Sequence, residues 1–520
     1  MPTTRYGVVD LFAGPGGLAE GFSSVRSPSG SRVFDIRLSI ENDPAAHKTL
    51  LMRSFLRQFE KEYPQEYYDF LAHPEQEPDW AAIYPHEYRR ALEEARLLEL
   101  GTPSADREIS QHIRRIRSEY GDRTILIGGP PCQAYSLVGR ARNKGIVGYV
   151  PEQDPRHFLY RAYINVLTQL KPAAFVMENV KGMLSSVVDG GQIFQHVVQD
   201  LRRCGYDLVA ISPRSLFADD PAPNDFIVHA EAFGLPQRRH RVIVVGIRRS
   251  LEIDLSQVPL DEHAAETPRE VSVAAVLRGL PKLRSGLSRG EDTHELWNGE
   301  LIRAAKICMK LPGLEAQLRK RFAEVHAFSQ QARTPRARQS IRYAKVGGSC
   351  SESLRDWLTD DRLAALPNHE TRGHMPADLS RYLFASVFAE IHQRSPRAAE
   401  FPRELAPHHR NWNSGKFADR FTVQTWNAPS STITSHISKD GHYFIHPDPV
   451  QCRSLTVREA ARLQTFPDNY LFRGNRTEQY VQVGNAVPPF LAHVLAKRVL
   501  NLLSSAEGSF HKARRTAGAA

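Results

Sequence analysis

The chain lacks the features of a membrane protein or of a disulfide-stabilised secreted protein. Its 520 residues contain no hydrophobic run long enough to cross a bilayer, and no signal peptide precedes the first motif, which begins at Asp10. Only five cysteines are present, and their spacing matches no metal-ligand set (Cys132, Cys204, Cys308, Cys350 and Cys452). We therefore expect a reducing, cytoplasmic location, no membrane contact and no bound metal.

Internal repeats are also missing, and the charge balance is not neutral. A chain of 520 residues is too long for one hydrophobic core, so two domains with insertions are expected. Lys and Arg number 68 against 58 Asp and Glu, a net charge of +10 that favours a polyanionic partner. Between Leu301 and Lys345 the basic residues face only two acidic ones, Glu315 and Glu324. This density indicates phosphate binding rather than an ordinary solvated helix face.

One cysteine stands in a setting that suits a nucleophile. The apolar run Thr124–Ile127 predicts a buried strand, and the sequence Gly-Gly-Pro-Pro-Cys-Gln-Ala-Tyr-Ser at 128–136 ends it abruptly. Cys132 is then on a loop at the carboxyl end of a strand, where open α/β sheets place their sites. An inert, buried cysteine is the alternative, but two prolines before it and the polar residues after it favour a rigid, exposed loop.

A glycine-rich turn near the amino terminus predicts a nucleotide-type cofactor site. The strand Val8–Leu11 leads into the turn Phe12–Gly17, which opens a helix. Gly14, Gly16 and Ala19 satisfy the loose dinucleotide fingerprint, so a nicotinamide cofactor is possible on this motif alone. The next strand, residues 36–40, ends at Glu41, which is well placed to bind the hydroxyls of a ribose.

Three further segments carry polar residues next to apolar runs. Glu178 follows the apolar strand at 173–177 and would project into the same crevice as Cys132. Arg239 and Arg241 alternate at the start of the strand Val242–Val245 and so share one face of it. The segment at 482–489 opens an apolar helix near the carboxyl terminus, with proline in its first turn.

The order and spacing of these motifs resemble those of the DNA cytosine-C5 methyltransferases. Besides Cys132 and Glu178 with its Asn-Val continuation, the match includes the Gln-x-Arg-x-Arg strand at 237–241 and the segment at 453–470. The resemblance implies S-adenosylmethionine as cofactor, S-adenosylhomocysteine as product, and no metal. The cofactor residues that it implies are Asp10, Phe12, Ala13, Gly14, Gly16, Gly17, Glu41, Asn42, Pro131, Asn485 and Ala486. Asp106 is one position for the acidic residue that contacts the adenine, but the matching region is ambiguous.

The same resemblance implies how the reaction runs. Cytosine C5 is a weak nucleophile, so the thiolate of Cys132 would first add to C6 and form an enamine. Glu178 would hydrogen-bond near ring N3, and Arg239 and Arg241 would supply a fixed positive field. The target base must be flipped out of the duplex to reach the thiolate. Gln133, Ser136, Asn179, Gln237 and Thr434 are the further substrate-binding candidates.

The implied fold is α/β, a doubly wound Rossmann-like methyltransferase sheet with a second, smaller target-recognition domain. We expect the catalytic domain at 1–247, with a helical insertion at about 52–122, and its return at 428–503. The recognition domain is predicted at 248–427, because this segment lacks the shared motifs. The tail at 504–520 is predicted to be disordered.

Other functions remain open at this stage. A transfer-RNA cytosine methyltransferase shares Cys132 and Glu178, but such proteins are short and lack so large a recognition segment. A nicotinamide oxidoreductase would explain the glycine loop alone, and a non-catalytic DNA-binding relative would have no need of a nucleophile. We expect double-stranded DNA as the partner and a monomer, since flipping one base requires one active site. The sequence leaves open whether a cognate restriction endonuclease acts separately, and which DNA sequence is recognised.

Overall fold

The computed structural model describes residues 4–60, 62–130, 156–188, 191–211, 221–253, 270–331, 333–336, 350–407, 412 and 420–517. In this part of the chain the strands are β1 Tyr6–Leu11, β2 Phe34–Glu41, β3 Ala95–Leu97, β4 Thr124–Gly128, β5 Ala174–Val180, β6 Val187–Val188, β7 Gly191–Gln192, β8 Tyr206–Val209, β9 Ile227–His229, β10 Gln237–Arg238, β11 His240–Arg248, β12 Gly286–Leu287, β13 Gly373–His374 and β14 Ser430–Ser431. The helices are α1 Gly17–Ser23, α2 Pro44–Arg57, α3 Gln65–Ala72, α4 Trp80–Ile83, α5 Pro85–Glu94, α6 Pro103–Tyr120, α7 Arg156–Leu170, α8 Ile193–Arg203, α9 Val273–Leu277, α10 His294–Met309, α11 Ala316–Gln331, α12 Glu352–Leu358, α13 Pro376–His392, α14 Val457–Leu463, α15 Arg476–Asn485 and α16 Pro489–Ala517.

A mixed sheet lies at the centre of the described structure. Its strand order is β3-β2-β1-β4-β5-β11-β8, and β9 pairs with β11. The strands β1 to β5 run parallel, whereas β11 is antiparallel to β5 and to β8. Every residue of β1 is buried, as expected for a central parallel strand covered on both faces. The predicted doubly wound, Rossmann-like fold is confirmed.

Two hydrophobic cores cover the two faces of this sheet. Alternate residues of β1 enter different cores, Val8 on one side and Val9 on the other. The first core contains side chains of α1, α14 and α16, and the second contains side chains of α6, α7 and α8. The carboxyl-terminal segment therefore returns to the sheet and completes one of its two helix layers.

The predicted insertion at 52–122 contains part of the sheet itself. β3 pairs in parallel with β2 at the sheet edge, and α6 packs Ile109, Ile113 and Ile116 into the second core. Thr102 caps α6 by accepting a hydrogen bond from the backbone N–H of Ala105. The part that projects from the sheet is smaller: α3 to α5 form a local aromatic core with α2, around Trp80.

A separate core lies in the region predicted for target recognition. It contains side chains of α10, α11 and α13 and extends to Cys452, beyond the predicted boundary at 427. Conversely, α9 and α12 contribute to the first core of the sheet. The segment 248–427 is thus divided between the two bodies, because packing brings together parts that are distant in sequence.

The carboxyl-terminal helices also differ from the prediction. The predicted single helix is two, α15 and α16, separated at the Pro488-Pro489 pair. α16 extends to Ala517, and the disorder expected from residue 504 stays a prediction. Its composition explains the helix: alanine, lysine and arginine are strong helix formers, and no proline follows Pro489. No helix in the described ranges is long and apolar enough to span a membrane.

Candidate active site

The predicted site residues that the structure describes lie along one edge of the sheet because of its strand directions. The carboxyl ends of the parallel strands β1, β2, β4 and β5 lie at this edge, and the antiparallel strand β11 begins there. Arg241 is therefore paired with Val180, at the end of β5. Crevices outside the carboxyl ends of strands are where open α/β sheets bind their ligands.

The glycine turn is held by the carboxylate that ends β2. Phe12, Gly14 and Gly16 have positive φ angles of 58°, 56° and 100°, which glycine adopts without strain but phenylalanine rarely does. Glu41 accepts hydrogen bonds from the backbone N–H groups of Gly14 at 2.7 Å, of Asn42 at 2.9 Å and of the following residue at 2.8 Å. Burial nevertheless raises the pKa of Glu41. Glu41 thus fixes the turn, and its contact with ribose hydroxyls stays a prediction.

Asp10 is a buried carboxylate whose oxygens lack protein hydrogen bonds. Its exposed fraction is 0%, and neither oxygen has a hydrogen-bond partner among the described residues. Burial is the main reason that the pKa of Asp10 is raised, and the positive charge of Arg57 opposes the shift. A Cβ atom added to Gly14 would meet nothing within 4 Å, so there is open space above the turn. An unsatisfied acid beside an open glycine turn fits a cofactor that carries a cationic group.

The carboxyl-terminal segment closes the other side of this turn. A Cβ atom at Gly17 would lie 2.2 Å from the carbonyl oxygen of Val487, so the backbones touch there. Tyr470 also donates a hydrogen bond to the carbonyl of Pro15. Of the two predicted cofactor residues in this segment, Asn485 is exposed and Ala486 is buried. The predicted residues Ala13 and Asn42 lie at the same edge, with Ala13 bonded to the carbonyl of Ile40 and the Asn42 side chain exposed.

Glu178 and Asn179 lie close to Gly129 and Pro130, the last described residues before the predicted nucleophile. The Oε1 atom of Glu178 lies 3.0 Å from Nε of Arg241, and both side chains are about 15% exposed (14% and 15%). A Cβ atom at Gly129 would lie 3.1 Å from Oε2 of Glu178. Asn179 donates a hydrogen bond of 3.0 Å to the carbonyl of Pro130. The carboxylate and the amide therefore both contact the chain just before Pro131.

Arg239 joins three separate segments from a buried position. Its Nη1 donates to the carbonyls of Ile433 at 2.9 Å and Gly484 at 3.4 Å. Its Nε has no hydrogen-bond partner in the described part of the chain. Burial and the adjacent Arg241 lower the pKa of Arg239 well below its usual range. Thr434 lies next to this junction, because a Cβ atom at Gly484 would be 2.3 Å from the Thr434 carbonyl carbon.

Gln237 is predicted to bind substrate, but in the structure its amide is bonded to protein. Its Nε2 donates to the carbonyl of Leu463 and to Oε1 of Gln464, at 3.1 Å and 2.9 Å. Its Oε1 accepts from the backbone N–H of Ile433 at 2.7 Å. Gln464 in turn donates to the carbonyl of Val483. Gln464, which hydrogen-bonds the Gln237 side chain, was not predicted from the sequence. A polar amide directly after the apolar Leu463 was the feature that could have indicated it.

A further acidic residue, Glu99, lies just after β3 and was not singled out from the sequence. Leu97 pairs with Glu41, and Glu99 follows two positions later with an exposed side chain. Asp106, by contrast, lies within the first turn of α6. Glu99 is therefore the acidic residue that leaves the sheet beside Glu41. Glu99 directly follows a short apolar run, a pattern typical of a strand end, but the charged residues around that run made the strand difficult to recognise.

Pro131, Cys132, Gln133 and Ser136 lie outside the described residues. In the basic segment at 301–345, several arginines are paired with carboxylates, which reduces its one-signed character (Arg303 with Glu300, Arg321 with Glu324 and Glu390, and Arg336 with Asp292). The interpretation of this whole segment as a phosphate-binding surface therefore stays a prediction.

The chain is similar to a known protein family over most of its length. The model of the family C-5 cytosine-specific DNA methylase matches residues 105–501. Type II methyltransferase M.Bpa9945I of Bacillus paralicheniformis is 31% identical over 513 residues, which cover 96% of this chain and 99% of that protein. Type II methyltransferase M.AgeI of Thalassovita gelatinovora is 26% identical over 397 residues, covering 73% of this chain and 83% of that protein.

A solved structure is similar in fold. It is a crystal structure of a candidate DNA modification methyltransferase encoded within a prophage of E. coli, with a TM-score of 0.50 and 19% sequence identity. The similarity covers 96% of this chain and 100% of that chain. The family match spans most of the chain, including β4, β5 and β11, which supply the motifs around Glu178 and Arg241. The chain belongs to the C-5 cytosine-specific DNA methylase family and is a DNA cytosine methyltransferase.

Proposed function

We propose that this enzyme uses S-adenosylmethionine to methylate C5 of a cytosine that it flips out of double-stranded DNA, within a short specific sequence. The reaction type follows from the family, and the details rest on the edge of the sheet where Glu178, Asn179 and Arg241 meet. The observation that carries the proposal is the position of Glu178, which is paired with Arg241 and lies close to Gly129, three residues before Cys132 in the sequence.

The cofactor would lie along the glycine turn. When bound, S-adenosylmethionine supplies an electrophilic methyl group on a positively charged sulfonium. Asp10 would face the cationic part of the cofactor, which agrees with its unsatisfied, buried carboxylate. Glu41 would accept the ribose hydroxyls, and the turn from Phe12 to Gly17 would contact the rest of the molecule. Glu99 is proposed at the adenine end in preference to Asp106, and no residue of this set requires a metal.

The protein residues would then activate the base in steps. The thiolate of Cys132 adds to C6, and the ring electrons move toward N3, where Glu178 donates or shares a proton. The resulting enamine takes the methyl group at C5. A base, for which water is a candidate, then removes the C5 proton, and elimination of Cys132 restores the aromatic ring. Arg241 holds Glu178 in place and adds positive charge beside the developing anion.

Base flipping requires contacts that repay its cost of a few kcal/mol. Thr434 and Arg239 lie at the junction between the sheet and the carboxyl-terminal segment, where the backbone of the opened strand would pass. Gln133, Ser136 and Asn179 are proposed to contact the base or its sugar-phosphate. The net charge of +10 supports phosphate binding in general.

We further propose a monomer that acts on DNA in the bacterial cytoplasm, as part of a restriction-modification system. The names of the relatives, Type II methyltransferases, support the last point. A cognate endonuclease would act as a separate protein. Sequence specificity is assigned to the core around α10, α11 and α13, because this body is separate from the cofactor edge of the sheet.

The test is to express the full chain in a host without cytosine methylation and to map 5-methylcytosine by bisulfite sequencing. We expect the wild type to mark one short motif, and both Cys132→Ala and Glu178→Gln to mark none. Cys204→Ala, which changes a half-buried free cysteine elsewhere, serves as the matched control and should retain the pattern. Marks that persist in Cys132→Ala would refute the proposed nucleophile.

The same strains separate the DNA proposal from the RNA alternative. If wild-type protein that binds S-adenosylmethionine leaves the DNA unmarked, bisulfite sequencing of total RNA from those cells follows. Methylated transfer RNA together with unmarked DNA would replace the DNA substrate by RNA. A chain that binds DNA but marks neither polymer would support the non-catalytic alternative.

A further inference from the structure

A group of two histidines and one glutamate lies beside the active-site strand and has no role in the proposed reaction. Within the described residues, His229, Glu231 and His240 place one ligand atom each within 4.8 Å of one another. His240 Nε2 lies 2.7 Å from Oε1 of Glu231, and His229 Nδ1 lies 3.8 Å from the same oxygen. The centroids of the two imidazole rings are 4.0 Å apart. Three potential ligand atoms therefore lie close to one another.

The backbone fixes this convergence. His229 and His240 are directly paired across the antiparallel strands β9 and β11. Glu231 lies in the short 3-10 helix that follows β9, and Gly234 ends that helix with φ 77°. The backbone N–H of Ala230 donates to the carbonyl of Arg239 at 3.1 Å, which closes the connection at its base. The ligands therefore project from a hydrogen-bonded framework and not from a free loop.

One of the two carboxylate oxygens of Glu231 lacks a hydrogen-bond partner among the described residues. Its Oε1 is the oxygen near both histidines. Its Oε2 is buried and has no hydrogen-bond partner in the described part of the chain. The Glu231 side chain is 15% exposed, His240 is 33% exposed and His229 is 50% exposed. A buried carboxylate oxygen without a donor calls for a cation or a proton, and the partly open histidine side gives an ion a route of entry.

We infer that His229, Glu231 and His240 bind a divalent transition-metal ion of the zinc class. Imidazole nitrogens with one carboxylate are a ligand set that suits zinc, whereas calcium and magnesium prefer oxygen ligands alone. Three protein ligands leave a fourth position for water, as in an open tetrahedral site. The ion links β9, the 3-10 helix and β11. It thereby clamps the start of the strand that presents Arg239 and Arg241.

The site is distinct from the methyl-transfer centre. His240 turns toward Glu231, while its neighbour Arg241 turns toward Glu178 on β5. Alternating side chains of a strand point to opposite faces, which separates the two groups. The metal is therefore a clamp on the strand and takes no part in the addition or elimination steps. Its effect on activity would arise through the position of the two arginines.

The test uses the full-length protein after treatment with a chelator that is then removed. Zinc binding is measured by competition with a chromogenic chelator, and cobalt is added separately to record the visible absorption that a tetrahedral nitrogen and oxygen site produces. We expect one zinc ion per chain in the wild type. His229→Ala and Glu231→Gln should weaken binding by more than the roughly 10- to 100-fold that loss of a mere outer-shell partner costs.

The matched control is His73→Ala. His73 is also exposed and lies 3.7 Å from a glutamate, Glu75, but it has no place in the three-ligand group. This variant should bind zinc as the wild type does. His229→Cys, which supplies a different zinc ligand at the same position, should restore much of the affinity lost in His229→Ala. Circular dichroism and S-adenosylmethionine binding establish that each variant is folded.

Two results would overturn the inference. The first is a wild-type chain without stoichiometric zinc binding, which would leave an ordinary histidine–glutamate hydrogen bond. The second is equal zinc affinity in the wild type, His229→Ala and Glu231→Gln, which would place the ion at another histidine of the chain. Neither result depends on methylation activity.

Discussion

Replacing Asp468 by asparagine should destabilise the protein strongly, because it leaves a buried arginine without its counter-ion. Asp468 and Arg462 are both 0% exposed and form two hydrogen bonds of 2.8 Å and 2.6 Å. Breaking a buried ion pair by removing one partner costs about 3–5 kcal/mol. Arg462 keeps its bond to the carbonyl of Val276, so the side chain would stay in place after it loses the carboxylate of Asp468. We expect a loss near that range.

The control is the exposed pair of Arg37 and Glu119. Its nitrogen–oxygen distance is also short, 2.9 Å, but the side chains are 35% and 51% exposed. Such surface pairs contribute about 0–1 kcal/mol, so Glu119→Gln should change stability little. The contrast between the two variants isolates burial as the cause, since both remove one carboxylate charge from an arginine.

Urea unfolding followed by tryptophan fluorescence measures both variants. Trp357 is a suitable reporter, because its Nε1 donates a hydrogen bond of 2.7 Å to the carbonyl of Thr465, within the segment between the paired residues. The double variant Arg462→Met with Asp468→Leu should recover most of the loss, since it removes both charges. A cost below about 1 kcal/mol for Asp468→Asn would refute the reasoning.

Two further predictions concern the glycine turn and a buried histidine. Gly17→Ala should abolish S-adenosylmethionine binding and lower the melting temperature, because its Cβ would lie 2.2 Å from the carbonyl oxygen of Val487. The control Gly299→Ala, at an exposed helix position with open space around it, should be neutral or should stabilise the protein by up to about 1 kcal/mol. Normal cofactor binding by Gly17→Ala would contradict the predicted role of the turn. Burial lowers the pKa of His369 to about 4, below its value of about 6.5 in the unfolded chain. The contribution of His369 to stability is therefore complete above pH 6.5 and is lost as the pH falls toward 4, by at most about 3 kcal/mol. Urea midpoints between pH 7 and 4.5 should fall less steeply in His369→Gln than in the wild type, and identical slopes would disprove this assignment.

The arrangement of the motifs could be predicted from the sequence because parallel strands bring their carboxyl ends together. The apolar runs predicted as parallel strands are β1, β2, β4 and β5, and the residues that follow each run reach one edge of the sheet. Glu41 is one example, since it is the last residue of β2, and Glu178 is another, since it lies near the end of β5. The family resemblance is confirmed by the comparisons, and so is the doubly wound sheet.

Other features depend on tertiary contacts that no local pattern encodes. β3 has three residues, too few to stand out among the charged residues around it, so the region appeared to be an insertion. From the sequence, Gln237 is predicted to be a substrate-binding residue. In the structure its amide is buried, and both its nitrogen and its oxygen are hydrogen-bonded to protein. The separate core around α10, α11 and α13 extends to Cys452, across a predicted domain boundary. Burial of a polar group and pairing of distant segments cannot be inferred from periodicity.

The role of Cys132 is tested most directly by trapping its adduct. A duplex that carries the recognised sequence with 5-fluorocytosine at the target position cannot lose a proton from C5 after methyl transfer, so the enzyme should remain covalently attached to the DNA. We predict that mass spectrometry of the digested complex, formed in the presence of S-adenosylmethionine, places the adduct on the peptide containing Cys132, and that Cys204→Ala forms it equally well. Formation of the same complex by Cys132→Ala, or no complex with a duplex that the enzyme methylates when it contains ordinary cytosine, would contradict the account.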